Sequence, residues 1–325
     1  MAYDQSIYIL FFILLFCHFL FASGHATVSS SCIDGLTPFA EADAKIFVEH
    51  RGLERMLAHL VSLRRMHIVS ARNSSFVRLL GGRTKWVDER SLSFYTVFKD
   101  DGWVLQQVIK LRAPLEIPGI CANVFVVDAD IIFARPFHIR HTTQPPTFNY
   151  LVAASVPKGY LQDFGQRSNN FVREALGYNS TNSPGPLCNV HHMMLLQRDV
   201  LLALSQRVAA HTGTTLLDIF QRAMHNSLYW ISEFDLYFTF TWSMFRYRMH
   251  IAHLPFLHCR SPHNCTEADA QAFRAESDIH FLSCHDNWSG SDVCVNSDRC
   301  NISAALLWSP DTVRPPQIAC RDLTA

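Results

Sequence analysis

Two carboxylates one residue apart, Asp128 and Asp130, follow the most apolar short run of the chain, Asn123-Val124-Phe125-Val126-Val127. Residues two apart in an extended chain point to one side, so both carboxylates can face a single ligand. Paired oxygen donors suit a hard divalent cation, Mn2+ or Mg2+, held together with phosphate oxygens. The same Asp-x-Asp could be a solvated turn. Its setting, VFVVDADIIFARP, gives it weight: a strand runs into the acidic pair and further apolar residues follow.

Other groups with chemistry lie on either side. Gln106 and Lys110 are four apart on a predicted helix and share a face; Lys110 there could offset diphosphate charge, or simply be solvated. Glu233 and Asp235 form a second acidic pair. Ser232 as a helix N-cap with Asp235 at the third helical position would explain Asp235 structurally. That leaves Glu233 free to take a proton from a hydroxyl group. In His191-His192, within an apolar strand, one ring points inward and one outward, and His192 is the pocket candidate, as Asp235 is on the acidic side. His258, Cys259, His263 and Cys265 lack clean zinc-site spacing and read as disulfide chemistry instead. The rings of Phe234, Tyr237, Phe238, Phe240 and Trp242 read as core packing.

These residues need elements to hold them. Apolar periodicity predicts strands at 66–70, 85–88, 123–127, 148–156, 190–196 and 279–283. It predicts helices at 42–66, at 102–111 ending before Pro114, near 199–210, and through most of 216–240. The Ser/Asn/Pro/Gly-rich stretch 180–186 reads as a surface loop. The alternation favours a three-layer α/β/α fold with a mostly parallel central sheet. The β-branched and aromatic run 123–127 suits a central strand buried on both faces. Ligands of such sheets bind beyond the carboxyl ends of the central strands, where Asp128 and Asp130 fall.

Composition sets the surroundings. The chain has 325 residues, 49% of them hydrophobic, with 28 Lys+Arg against 28 Asp+Glu. A sizeable core is affordable, and the balanced charge gives no basic face for a nucleic acid. Residues 7–22 are almost all apolar; as a helix they reach about 24 Å, the length of a signal-peptide core or a short membrane anchor. Nine of the ten cysteines follow this run, and sequons occur at Asn73, Asn179, Asn264, Asn287 and Asn301. Both features fit an oxidising, glycosylating lumen. The expected organisation is a leader or anchor (1–26), a short stem (27–36), a catalytic domain (37–288) and a disulfide-rich C-terminal tail (289–325).

Four segments together resemble a little-characterised family of GT-A-like nucleotide-diphospho-sugar transferases. They are Gly102-Trp103-Val104-Leu105-Gln106-Gln107-Val108-Ile109-Lys110-Leu111, the acidic strand 126–136, His192-Met193-Met194-Leu195, and Ser232-Glu233-Phe234-Asp235-Leu236-Tyr237. They stand in the expected order between about residues 37 and 285; the Cys-rich tail departs from the pattern. The resemblance implies a GT-A fold and leaves donor and acceptor unassigned; together with the lumenal features above, the expectation is a glycosyltransferase of the secretory pathway, in the Golgi or ER lumen, membrane-anchored or soluble. It would use Mn2+ or Mg2+ and move a sugar from a nucleotide-sugar donor to a glycan, protein or lipid acceptor. On that expectation Asp128, Asp130, Gln106 and Lys110 bind the donor, and Asp128, Asp130 and His285 hold the metal, several GT-A enzymes taking a third ligand from a late histidine, a place for which His280 competes. Glu233 and Asp130 are catalytic, and His192 and Asp235 line the acceptor pocket. The competing expectations are a catalytically inactive lumenal binding or scaffold protein with the same fold, and a metal-dependent phosphoesterase. The phosphoesterase would need more clustered ligands than the sequence offers.

Overall fold

The computed structural model describes residues 32–38, 57–58, 60, 63–71, 82–129, 131–133, 139, 148–152, 158–178, 192–253, 256–259 and 281–284. The elements below belong to the compact unit Ile33–Ala325. Its centre is a five-stranded sheet: β1 (Ile33–Pro38), β2 (Arg65–Ser70), β3 (Thr84–Asp88), β4 (Asn123–Val127) and β7 (Met193–Gln197), in the order β3-β2-β1-β4-β7. All neighbours are parallel except β4 and β7. The expected α/β class with a mostly parallel sheet is thus the observed one.

Strand order places the site. The chain builds outward from β1 to β3, then returns across β1 to lay β4 on its other side. The connections leave β1 and β4 in opposite directions, which opens a crevice beyond the strand ends where ligands of such sheets bind. Asp128 is the first residue after β4. Val124 to Val127 are fully buried, as an all-apolar central strand requires.

β1 corrects the sequence reading, which assigned 33–36 to a stem. Its residues Ile-Asp-Gly-Leu-Thr-Pro carry little strand signal, yet all six are buried between β2 and β4. Two local features account for this. Gly35 lies beside Met66, and a Cβ there would come within 2.6 Å of Met66 Cε and 2.9 Å of Leu63 Cδ1. The Asp34 carboxylate accepts two hydrogen bonds from Arg64 (3.0 and 2.7 Å) and one from the Cys121 N–H (3.0 Å), with His67 Nε2 at 3.3 Å. Burial would raise the Asp34 pKa, but His67, Arg64 and the Cys121 amide together hold it far below the usual carboxylate range.

The helices are α1 (Tyr95–Phe98), α2 (Gly102–Glu116), α3 (Lys158–Leu176), α4 (Arg198–Thr212), α5 (Leu216–Met224) and α6 (Glu233–Met244). α2 packs on β1, α4 on β7, and α2, α3, α4 and α6 pack on one another. α2 starts at Asp101, whose side chain caps the Val104 N–H. It was expected to stop before Pro114 but continues to Glu116. Proline lacks the N–H that would bond the Lys110 carbonyl; one lost bond in the last turn is tolerated because Leu111, Ala113 and Pro114 bury together. The expected long helix over 216–240 is two helices, because 225–232 break it. α3 was not anticipated, although Phe171, Val172, Ala175 and Leu176 bury at helical spacing. β5 (Ile131–Phe133), β9 (Phe256–Cys259) and β10 (Phe281–Cys284) form a second sheet, and β6 (Phe148–Val152) and β8 (Met249–His253) pair separately. The leader, residues 27–31 of the stem, the predicted helix 42–66 apart from 57–58, 60 and 63–66, the loop 180–186 and the tail 289–325 lie outside the described residues. No helix among the described residues is long and apolar enough to cross a membrane.

Candidate active site

Four residues from four separate segments meet just past the carboxyl end of β4. Lys110 is on the ninth residue of α2, Asp128 follows β4, His192 precedes β7, and Glu233 opens α6. Lys110 Nζ lies 2.6 Å from Asp128 Oδ1 and 2.8 Å from Glu233 Oε1. His192 Nδ1 lies 3.6 Å from Asp128 Oδ2. The backbone extends the β4–β7 ladder by one rung to align this pair, the Asp128 N–H donating to the His192 carbonyl at 2.8 Å.

Burial makes these charges strong. Lys110, Glu233 and His192 side chains are 4%, 4% and 3% exposed, whereas Asp128 keeps 13%. Asp128 is therefore the member that faces outward. Lys110 is also satisfied by Gln107 Oε1 at 3.3 Å, and its ammonium lies 4.7 Å from the Phe234 ring centroid. Desolvation alone would favour a neutral amine, but Asp128 and Glu233 override it and keep Lys110 charged far above neutral pH.

The two carboxyls are pushed apart. Burial would raise both. At Asp128 the Lys110 ammonium, with His192, overrides burial and pulls the pKa down to about 2. At Glu233 burial prevails over Lys110, and the Asp128 charge adds to it, so its pKa is raised. The Lys110 ammonium thus holds Asp128 ionised, while burial opposes the charged form of Glu233.

Asp235 is set one step back. Ser232 caps α6, its Oγ accepting the Asp235 N–H at 3.2 Å. The reciprocal half of a capping box is absent because the Asp235 carboxyl accepts from Ser168 Oγ of α3 instead. Asp235 is buried and Oδ1 has no hydrogen-bond partner among the described residues. Burial drives its pKa up to about 7, against the Ser168 and Ser232 hydrogen bonds. Asp235 thus fixes α3 to α6 rather than lining the cluster of Lys110, Asp128 and Glu233.

Of the residues expected from sequence, the structure brings together Lys110, Asp128, His192 and Glu233. Gln106 is half-buried on the helix surface; Gln107 is the glutamine that touches Lys110. Asp130, His285 and the sequons Asn73, Asn179, Asn264, Asn287 and Asn301 lie outside the described residues. Gln107 and Ser168 were missed. Gln107 sits three residues before Lys110, a helical spacing that could have found it; Ser168 has no local signal. Tyr237 of the Ser-Glu-x-x-Leu-Tyr segment is structural, its hydroxyl accepting the Gln197 N–H at 2.8 Å and tying α6 to the end of β7. Elsewhere among the described residues, Cys32, Asp34 and Cys121 hold no metal: both sulfurs are in disulfide linkage and Asp34 is spent on Arg64, His67 and a backbone amide.

No family model matches the sequence, and no characterised protein matches it significantly. Among solved structures, the chain is similar to mouse xyloside xylosyltransferase 1 at 12% identity and a TM-score of 0.43, over 79% of this chain and 98% of that one. It is similar to the galactosyltransferase LgtC in complex with donor and acceptor sugar analogues at 11% identity and 0.40, over 82% and 93%. It is similar to the bifunctional glycosyltransferase WbbM at 14% identity and 0.38, over 82% of this chain and 47% of that one.

Proposed function

We propose that this chain is a metal-dependent glycosyltransferase that moves a sugar from a nucleotide-diphosphate donor to an acceptor in the secretory lumen. The observation that carries this reading is the Lys110–Asp128–Glu233–His192 cluster at the switch point of the sheet. It joins a carboxylate held ionised to a buried carboxyl whose pKa is raised, at the place where α/β sheets bind ligands. A phosphoesterase would need several further ligands around Asp128, and the described residues supply only His192.

Asp128 fits a cation: it is ionised, it is the most exposed member of the cluster, and Oδ2 faces an imidazole rather than the ammonium. Mn2+ or Mg2+ would be held by Asp128 with Asp130 and His285, and when bound it supplies positive charge to a departing nucleoside diphosphate. The chain's own residues do the rest. Lys110 keeps Asp128 ionised and locks α2, β4 and α6 together. Glu233 takes the proton of the acceptor hydroxyl. His192 holds Asp128 Oδ2 in place, beside the carbonyl that already fixes the Asp128 backbone. The lumenal location is supported by the disulfide-bonded Cys32 and Cys121, the apolar run 7–22 and the five sequons.

One observation favours the second reading, a lumenal protein that binds nucleotide without turnover: the Lys110 ammonium already contacts both carboxylates. A panel of UDP- and GDP-sugars with Mn2+ separates the two. The enzyme reading expects release of nucleoside diphosphate from at least one donor, reduced at least a hundredfold in Asp128→Asn. Nucleotide binding with no release from any donor establishes the second reading instead.

A further inference from the structure

Trp103 is a large apolar side chain that the fold leaves 43% exposed, although it stands at the second residue of a mostly buried helix. Its ring meets that of Trp230 edge to face, with centroids 5.1 Å apart. The Arg167 guanidinium lies 5.6 Å from the Trp230 centroid, and Arg167 Nη2 donates to the Tyr229 carbonyl at 3.4 Å. Asn170 Nδ2 donates to the Leu228 carbonyl at 3.4 Å, and the Tyr229 hydroxyl donates to Glu174 at 3.1 Å. The segment 228–230 is thereby clamped along α3 and presents Trp230 to Trp103.

This pair is continuous with the cluster. Seven helical residues separate Trp103 from Lys110, about 10 Å along α2. Glu233 stands three residues beyond Trp230, a reach of at most about 10 Å. Residues 230–233 therefore run beside α2, with the tryptophans at one end and the Lys110–Glu233 ion pair at the other. Gln107 bridges the span on α2: its Nε2 donates to the Trp103 carbonyl at 3.2 Å and its Oε1 accepts from Lys110.

We propose that Trp103 and Trp230, flanked by Arg167, form a carbohydrate subsite that binds a sugar unit of the acceptor distal to its reacting unit. An indole face matches the apolar C–H face of a pyranose, and the indole N–H and a guanidinium supply donors to its hydroxyls. The edge contact with Trp230 leaves 43% of Trp103 open to solvent. Among the described residues here, Trp103 and Leu228 are the exposed large apolar side chains, a surface smaller than a stable protein interface needs. The span of about 10 Å along α2 to Lys110 is about two pyranose lengths, so a sugar on the tryptophans lies within an oligosaccharide's reach of the cluster without being the unit adjoining it. This inference rests on the glycosyltransferase reading, and specifies its acceptor as an oligosaccharide or a glycan-bearing molecule.

The test uses the full chain, as wild type, Trp103→Ala and Trp230→Leu, on a printed array of oligosaccharides, with UDP and GDP binding measured in parallel. Wild type should retain at least one oligosaccharide, with the matched monosaccharide bound at least tenfold more weakly. Trp103→Ala should lose that binding at least tenfold while nucleotide affinity and thermal melting stay unchanged. Oligosaccharide binding indifferent to both substitutions, or no glycan bound by a chain that binds nucleotide, overturns the subsite and leaves the donor reading intact. Failure to bind any nucleotide overturns the donor reading itself; if glycans are still bound through Trp103, the subsite stands as a lectin-like site.

Discussion

Lys110 carries the strictest demand in the molecule, because a buried ammonium with two carboxylates cannot lose a member cheaply. Lys110→Met should leave Asp128 and Glu233 together without a counter-charge and cost about 3–5 kcal/mol in urea denaturation at neutral pH. Adding Glu233→Gln to it should recover a large part of that loss, since one of the two stranded charges is then gone. A single-variant loss below about 1 kcal/mol would mean that the ion pair is solvated and unimportant. Asp235 makes a separate prediction. Its folded pKa of about 7 stands above the ordinary value of 3.8, so the folded state binds more protons than the unfolded chain between these values. Its contribution to stability is complete below pH 4 and fades as pH rises through 7. Denaturation midpoints from pH 5 to 8.5 should fall in wild type more steeply than in Asp235→Asn; equal slopes would show that Asp235 ionises normally.

At the scale of elements, two contacts hold the site's frame without touching its chemistry. Tyr237 ties α6 to β7, and Tyr237→Phe strands the buried Gln197 N–H. It should cost about 1–3 kcal/mol while leaving nucleotide affinity within twofold, measured by denaturation and calorimetry on the same preparation. Gly35 is the close approach between β1 and β2. Gly35→Ala should cost about 1–3 kcal/mol through overpacking against Met66 and Leu63, and an unchanged melting temperature would show that Met66 swings clear. These two elements also mark how far the sequence was legible. β4 announces itself because a central strand buried on both faces must be apolar throughout. β1 does not: Asp34 and Thr37 are polar, and the partners that allow Asp34 to be buried, Arg64 and His67, stand thirty or more residues away. α2 was recognised but ended early at Pro114, since its extension depends on burial against the sheet rather than on local propensity.

At the scale of the molecule, the order β3-β2-β1-β4-β7 turns a common dipeptide spacing into a site. The residue types at Lys110, Asp128, His192 and Glu233 were readable as candidates, but not their partnership. The sequence pattern paired Lys110 with a phosphate and left Glu233 alone; the fold puts Lys110 between Asp128 and Glu233. Long-range pairing of that kind leaves no local periodicity, which is also why Ser168, the partner of Asp235 from 67 residues away, was invisible. The central claim is that the end of β4 binds a nucleoside diphosphate through a cation on Asp128. Calorimetric titration of the full chain with UDP and GDP, with and without Mn2+, tests it most directly. One of the two nucleotides should bind at least tenfold more tightly with Mn2+, and Asp128→Asn and Asp130→Ala should each remove that increment. Binding that is indifferent to Mn2+, or no binding of either nucleotide, would contradict the account.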